Sequence, residues 1–276
     1  MGEVVWHRPE TRADALRLRS EHGGEGIVVA GATFLGVLMN HGLLAPEAMI
    51  SLAGVRDLDF IHEEDGALRI GAMTTHRRIE DDPLVARLSP ALARTFSLVA
   101  SARIRNWATI GGVLANGDHA SDPPSMLTAL GARAVIESLS GRREVAVEDL
   151  VLGLYETVIA ADEILTEVIV PAGTEAATYR KFRTRSHEDR PCVSVAAARR
   201  GGVLRLAVGA VTQKVQFFPE ICELSRGRLD DPALAREMAA AYAAAIDPVS
   251  DARAPAEYRR RIIEVELRRA IEELMP

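Results

Sequence analysis

The stretch that most restricts how this chain can fold is residues 101–138, SARIRNWATIGGVLANGDHASDPPSMLTALGARAVIES. A polar run leads into the glycine pair Gly111-Gly112. Asp122 and two prolines then open the apolar helix SMLTALG, and ARAVIES follows as a strand. Adjacent glycines supply consecutive unhindered amides, the composition of an anion-binding nest and equally of a bulge or bend. Asp122 stands where an N-cap belongs, and proline loses no intrahelical donor in a first turn. A carboxylate there can also accept hydrogen bonds from sugar hydroxyls, although capping alone is the simpler role. Glycine-rich strand segments are expected to follow the short helices that end near residue 100.

A second glycine-centred loop, Val28-Val29-Ala30-Gly31-Ala32-Thr33, leaves the apolar strand GIVVAGA and enters the helix TFLGVLMNHG. Small residues there let the backbone approach a ligand, and the amides of a helix's first turn favour phosphate. Taken singly, each loop is better explained by a tight turn. Upstream, Gly24-Glu25-Gly26 imitates the start of a dinucleotide fingerprint, but it precedes the strand instead of following it.

Around these loops the pattern alternates. TRADALRLRSEH reads as a helix and AMISLA as a strand, which completes a small βαβ-like unit with the elements flanking Gly31. Two strands about Glu64-Asp65-Gly66 and short helices broken at Pro83 and Pro90 come next. A hairpin about Ser140-Gly141 and the strand EILTEVIVP, stopped by Pro171, lead to the small polar tract AGTEAAT, where a domain boundary is placed near residue 174. Beyond it the strands YRKFRTRS, CVSVAAARR and VLRLAVGAVTQ precede the helices REMAAAYAAA and PAEYRRRIIEVELRRAIEEL. In the last helix Tyr258, Ile262 and Val265, and then Ile263, Leu267, Ala270 and Leu274, recur at core spacing. Arg259, Arg260 and Arg261 are expected on its solvated face.

Several function classes are excluded by composition. A net charge of −6 offers no positive field for nucleic acid. No apolar run reaches the roughly 20 residues of a membrane helix, and the N-terminal sequence lacks the apolar core of a secretory signal, so a cytoplasmic protein is expected. Cys192 and Cys222 are the only cysteines, too few for an iron–sulfur cluster or four-cysteine zinc site on this chain, and the seven histidines lack metal-ligand spacing. There is no Walker lysine, no GxSxG elbow and no paired His/Cys nucleophile. No catalytic side chain and no metal ligand is assigned, so any redox centre is an organic cofactor.

The run IRNWATIGGVLANGDHASDPPSMLTALGARAVIES resembles the signature of the FAD-binding medium subunits of the xanthine dehydrogenase and carbon monoxide dehydrogenase family. Four further segments match that family in order: VVAGATFL, GAMTTHRRIE, YRKFRTRSHEDRPCVSVAAA and DARAPAEYRRRIIEVELRRAI. The resemblance implies an α+β fold. A vanillyl-alcohol-oxidase-like (PCMH-type) FAD-binding domain would span residues 1–174, in subdomains of about 1–56 and 57–174, followed by a small α+β C-terminal domain, a sheet packed on helices, over 175–276. It implies that Val28, Val29, Ala30, Gly31, Ala32, Thr33, Phe34 and Leu35 line the FAD pyrophosphate. Thr109, Ile110, Gly111, Gly112 and Val113 would form the second loop, Asp122 would meet the ribityl or ribose part, and Leu165 would lie on the flavin side.

By the same resemblance a large subunit carries the molybdenum cofactor and a small subunit carries two [2Fe–2S] clusters, in a dimer of heterotrimers. This chain would pass electrons from those clusters to an external acceptor such as NAD, a quinone or oxygen. Three positions depart from the family pattern. Ala32 replaces a common glycine, Val113 replaces a common asparagine, and Cys192 stands where some relatives carry a flavin-contacting lysine. A self-contained FAD oxidoreductase of the same fold and a flavin-free assembly subunit are the alternative expectations.

Overall fold

A computed structural model describes residues 4–276. Its N-terminal unit follows the alternation of the sequence. Strand β1 (Val5–His7) precedes helix α1 (Arg12–His22), whose first turn is capped by the Thr11 side chain accepting from the Asp14 amide. Strand β2 (Gly26–Val29), helix α2 (Leu35–Asn40) and strand β3 (Ala48–Ser51) form a βαβ unit, because β3 pairs in parallel with both β1 and β2. The strand expected over residues 26–32 is shorter than its apolar run. Pairing ends at Val29 opposite Ser51, and Ala30, Gly31 and Ala32 turn away from the sheet.

Strands β4 (Ile61–Glu64) and β5 (Ala67–Gly71) form the expected hairpin. Asp65 and Gly66 both have positive φ at its turn, the geometry that matches strand twist in a two-residue connection. Helices α3 (His76–Asp81), α4 (Pro83–Leu88) and α5 (Pro90–Ser97) follow, the two prolines starting helices instead of only interrupting one. Glycine-rich strands are not formed after them. That stretch makes two short helices, α6 (Ala102–Arg105) and α7 (Ile110–Ala115), and the glycine pair lies in the first turn of α7. The Thr109 hydroxyl caps α7 by accepting from the Gly112 amide at 3.0 Å, and this cap outweighs the poor helix propensity of two glycines.

Helix α8 (Pro123–Ala129) leads to β6 (Arg133–Ser138), β7 (Gly141–Ala146), α9 (Val147–Leu150), the small hairpin β8 (Val151–Gly153) and β9 (Glu156–Thr157), and β10 (Ile164–Val170). The result is a five-stranded antiparallel sheet of order β4-β5-β10-β6-β7.

The final segment opens with β11 (Thr174–Phe182), so most of the AGTEAAT tract is strand, and the strand ends well before Ser186. With β12 (Val193–Arg200), β13 (Val203–Gly209) and β14 (Gln216–Phe217) it forms an antiparallel meander. Helices α10 (Pro219–Cys222), α11 (Leu234–Ala245) and α12 (Ala256–Leu274) complete the chain. Both faces of this sheet are buried, and the period of two in β12 assigns them. Val193, Val195 and Ala197 join the core with α11 and α12, whereas Ala196 and Ala198 join Met126 and Leu127 of α8. Helix α8 therefore ties the third sheet to the five-stranded one.

Of the two expected stripes on α12, Ile263, Leu267, Ala270 and Leu274 are buried and Tyr258 is exposed. Burying each of the three large side chains in that stripe contributes about 1.5–3 kcal/mol. Arg259 does not lie on the solvated face. It is fully buried, and its Nη1 and Nη2 donate to the Val249 carbonyl at 2.6 Å and the Asp251 carboxylate at 2.7 Å, which compensates much of the cost of removing its charge from water.

Candidate cofactor-binding site

A cavity of about 440 Å³ opens where the β2–α2 loop, the turn after β5, helix α7 and the start of α8 meet. That volume lies within the range of ordinary ligand pockets. Val28, Ala30, Gly31, Ala32, Thr33, Phe34 and Leu35 line it, as do Thr109, Gly111, Gly112, Val113, Asp122 and Leu165. Val29 and Ile110 do not, since their side chains are buried in the core behind the two loops.

The loops touch each other. A Cβ on Gly31 would lie 1.8 Å from the Trp107 carbonyl oxygen, and one on Gly112 would lie 3.6 Å from the Ala30 Cβ. Gly31 is thus required by close approach of two backbones. Gly111 is required by packing, as its Cβ would sit 2.5 Å from that of Ala72. Ala32 occupies the left-handed region with φ +55°, a conformation that costs an alanine about 1 kcal/mol relative to glycine and explains why glycine is common there.

The amides of the two loops differ. Among the described residues the amides of Gly31, Ala32, Thr33 and Phe34 have no acceptor. In the second loop the amides of Ile110 to Val113 are engaged: Ile110 donates to Thr74 O (3.1 Å), Gly111 to Ala72 O (2.8 Å), Gly112 to Thr109 Oγ1 (3.0 Å) and Val113 to Thr109 O (3.0 Å). The glycine pair therefore forms no nest of free donors. The Phe34 ring stacks on Tyr155 of the β8–β9 hairpin at 5.3 Å, which adds an aromatic wall beside the first loop.

Asp122 stands at the N-cap position of α8, yet its carboxylate makes no cap. It accepts instead from Tyr179 Oη at 2.6 Å and Lys181 Nζ at 2.9 Å, both on β11. Lys181 also donates to Leu98 O at 2.9 Å. The Asp122 and Lys181 side chains are almost wholly buried, and burial pushes the Asp122 carboxyl above the ordinary range while the lysine ammonium opposes the rise. Asp118, also buried, pairs with Arg190 of the loop between β11 and β12. His76 closes the wall behind Thr109, and burial depresses its pKa to about 4.

Lys181 is among the lining residues that sequence reasoning missed, with Asp118, Arg190 and His76, although it sits in the matched KF segment. Cys192 does not face the cavity. Its side chain is buried in the C-terminal core with Val193, Val195 and Ile263, so the lysine presented to the cavity is Lys181, eleven residues earlier in the chain. Among the described residues no cluster of three metal-ligating side chains occurs, and no helix is long and apolar enough to cross a membrane.

A parallel βαβ unit beside an antiparallel five-stranded sheet, with a cavity at the touching loops, is the vanillyl-alcohol-oxidase-like (PCMH-type) arrangement of an FAD-binding flavoprotein. Comparison with known proteins narrows this class. Residues 2–173 match the family described as FAD binding domain in molybdopterin dehydrogenase, and residues 177–274 match the CO dehydrogenase flavoprotein C-terminal domain.

The chain is 33% identical to the nicotine 6-hydroxylase medium subunit of Paenarthrobacter nicotinovorans, over 98% of this chain and 96% of that one. It is 34% identical to the carbon monoxide dehydrogenase medium chain of Afipia carboxidovorans, with the same coverage. Among solved structures it superposes on a chain of the Cu,Mo-CO dehydrogenase in its cyanide-inactivated form with a TM-score of 0.92 at 33% identity, covering 98% of this chain and 97% of that one. For quinoline 2-oxidoreductase from Pseudomonas putida 86 the TM-score is 0.91 at 27% identity, covering 99% and 96%. The chain belongs to the family of FAD-binding medium subunits of molybdenum-containing dehydrogenases and hydroxylases, and is an oxidoreductase subunit.

Proposed function

We propose that this subunit holds FAD between the Gly31 loop and the capped turn at Gly111-Gly112, and passes electrons from [2Fe–2S] clusters of a small partner subunit to an external acceptor. A large partner would carry the molybdenum cofactor, in a dimer of heterotrimers. The observation that supports this most is the set of four acceptor-free amides at Gly31, Ala32, Thr33 and Phe34, on a loop lining a cavity that also holds a buried acid–lysine pair. Free backbone donors at a strand-to-helix turn suit a pyrophosphate, whose charge they meet without a cationic side chain.

On this reading each part of the cavity has a separate task. The Gly31 loop binds the pyrophosphate, with Ala30, Leu35 and Val28 completing its wall and Val29 fixing its root in the core. The turn formed by Thr109, Ile110, Gly111, Gly112 and Val113 shapes the opposite side. Asp122 and Lys181 present oxygen and nitrogen to the hydroxyl-bearing portion, and Leu165 offers an apolar surface to the ring. When bound, the isoalloxazine ring supplies the redox chemistry, while the protein supplies position and electrostatics. No general base is required of this chain.

The test is the visible spectrum of the chain purified together with its partner subunits. Flavin bands, with iron–sulfur and molybdenum subunits present in the same complex, are expected. A colourless complex that takes up no FAD would overturn the reading.

A further inference from the structure

We infer that His76 is a positioning residue, holding the Thr109 to Gly112 turn in the shape that binds FAD. The inference rests on the FAD reading above. Thr109 is held from two sides. Its carbonyl accepts from Val113 of its own helix at 3.0 Å and from His76 Nε2 at 3.2 Å. Because a carbonyl only accepts, Nε2 carries the proton and the neutral tautomer is fixed. Backbone bonds continue the clamp: His76 N donates to Ala108 O at 2.8 Å, and Thr75 bridges Thr109. Among the described residues, the imidazole makes the one side-chain bond across this seam, between the turn after β5 and the turn before α7.

The surroundings of the ring suit that role. It is 1% exposed and packs edge-on against Phe96 at 4.8 Å, and its Nδ1 has no partner among the described residues. Nothing there welcomes a second proton, so the ring stays a neutral donor at ordinary pH. Since Thr109 Oγ1 in turn orders the Gly112 amide, a shift of the Thr109 backbone moves the cavity wall facing Ala30. His76 thus acts on the cofactor through Thr109 without needing to touch it.

The experiment titrates FAD into the complex in which the full chain purifies, after removal of bound flavin, and follows flavin fluorescence and thermal unfolding together. His76→Leu removes the donor, and His76→Asn makes it too short to reach Thr109. His76→Gln returns a donor near the position of Nε2. Ile79→Ala, on the same helix and fully buried, lowers stability without touching Thr109. FAD binding about tenfold weaker is expected for the Leu and Asn variants, the equivalent of one lost hydrogen bond. The Gln and Ile79→Ala variants are expected to stay within about threefold of wild type, although Ile79→Ala unfolds at lower temperature. If FAD affinity simply follows thermal stability across the four variants, or if Gln fails to restore it, the inference is overturned. A wild-type complex that takes up no FAD overturns the parent reading and this inference with it.

Discussion

The two glycine-bearing loops look alike in sequence and are built for opposite purposes. The Gly31 loop keeps its amides free and contains one residue, Ala32, in a strained left-handed conformation. The Gly111-Gly112 turn spends the amides of Ile110 to Val113 on Thr109 or on the turn after β5, and no residue of it has positive φ. In the first loop a missing Cβ lets two backbones meet, and in the second it lets a helix dock against Ala72. On the proposed reading, one loop offers its free amides to the cofactor's pyrophosphate. The other is a rigid abutment that fixes where the first loop sits.

The largest effect that separates the two is expected from alanine substitution. Gly31→Ala places a methyl on the Trp107 carbonyl, so the loops must part, and FAD binding should weaken about 100-fold, near 3 kcal/mol. Gly112→Ala meets the Thr109 hydroxyl at 3.0 Å and the Ala30 Cβ only at ordinary contact, 3.6 Å, and should cost less than about tenfold. FAD titrations giving equal losses for the two would break the distinction.

The next effect is in acid. His76 has a folded pKa of about 4 against 6.5 unfolded, so the unfolded chain binds the extra proton and stability falls as pH drops from about 6.5 towards 4. Arg105, the charged group that lowers this pKa, adds to the penalty. Over that window wild type should lose about 3 kcal/mol more than His76→Gln, measured by denaturant unfolding at each pH. Equal losses would show that the abutment holds no titratable clamp.

The smallest effect belongs to the strained alanine. Ala32→Gly relieves the left-handed strain but adds unfolded-state entropy, so a net gain of up to about 1 kcal/mol in stability is expected with FAD affinity retained. A loss of stability would mean that the strain does not reside there.

Much of this was legible in the sequence because it follows from local rules. The hairpin at Asp65-Gly66, the helix starts at Pro83 and Pro90, and the βαβ unit around Gly31 all come from turn residues and periodicity. The family followed from five ordered motifs, and the matches over residues 2–173 and 177–274 agree. What escaped depends on contacts distant in sequence. A glycine pair reads as a nest or bend until Ala72 and Thr109 are seen to take its amides. Asp122 reads as a cap until Tyr179 and Lys181, more than fifty residues on, claim its carboxylate. Arg259 reads as surface because its partners, Val249 and Asp251, lie in an irregular loop that periodicity cannot place.

The central claim, that the first loop binds the anion and the second only shapes the site, is tested most directly by amide hydrogen exchange with and without FAD. The amides of Gly31, Ala32, Thr33 and Phe34 should exchange quickly in the FAD-free complex and slow at least about tenfold when FAD is added, while those of Gly111 and Val113 are protected in both states. FAD-dependent protection at Gly111 and Gly112, with residues 31–34 unchanged, would contradict it.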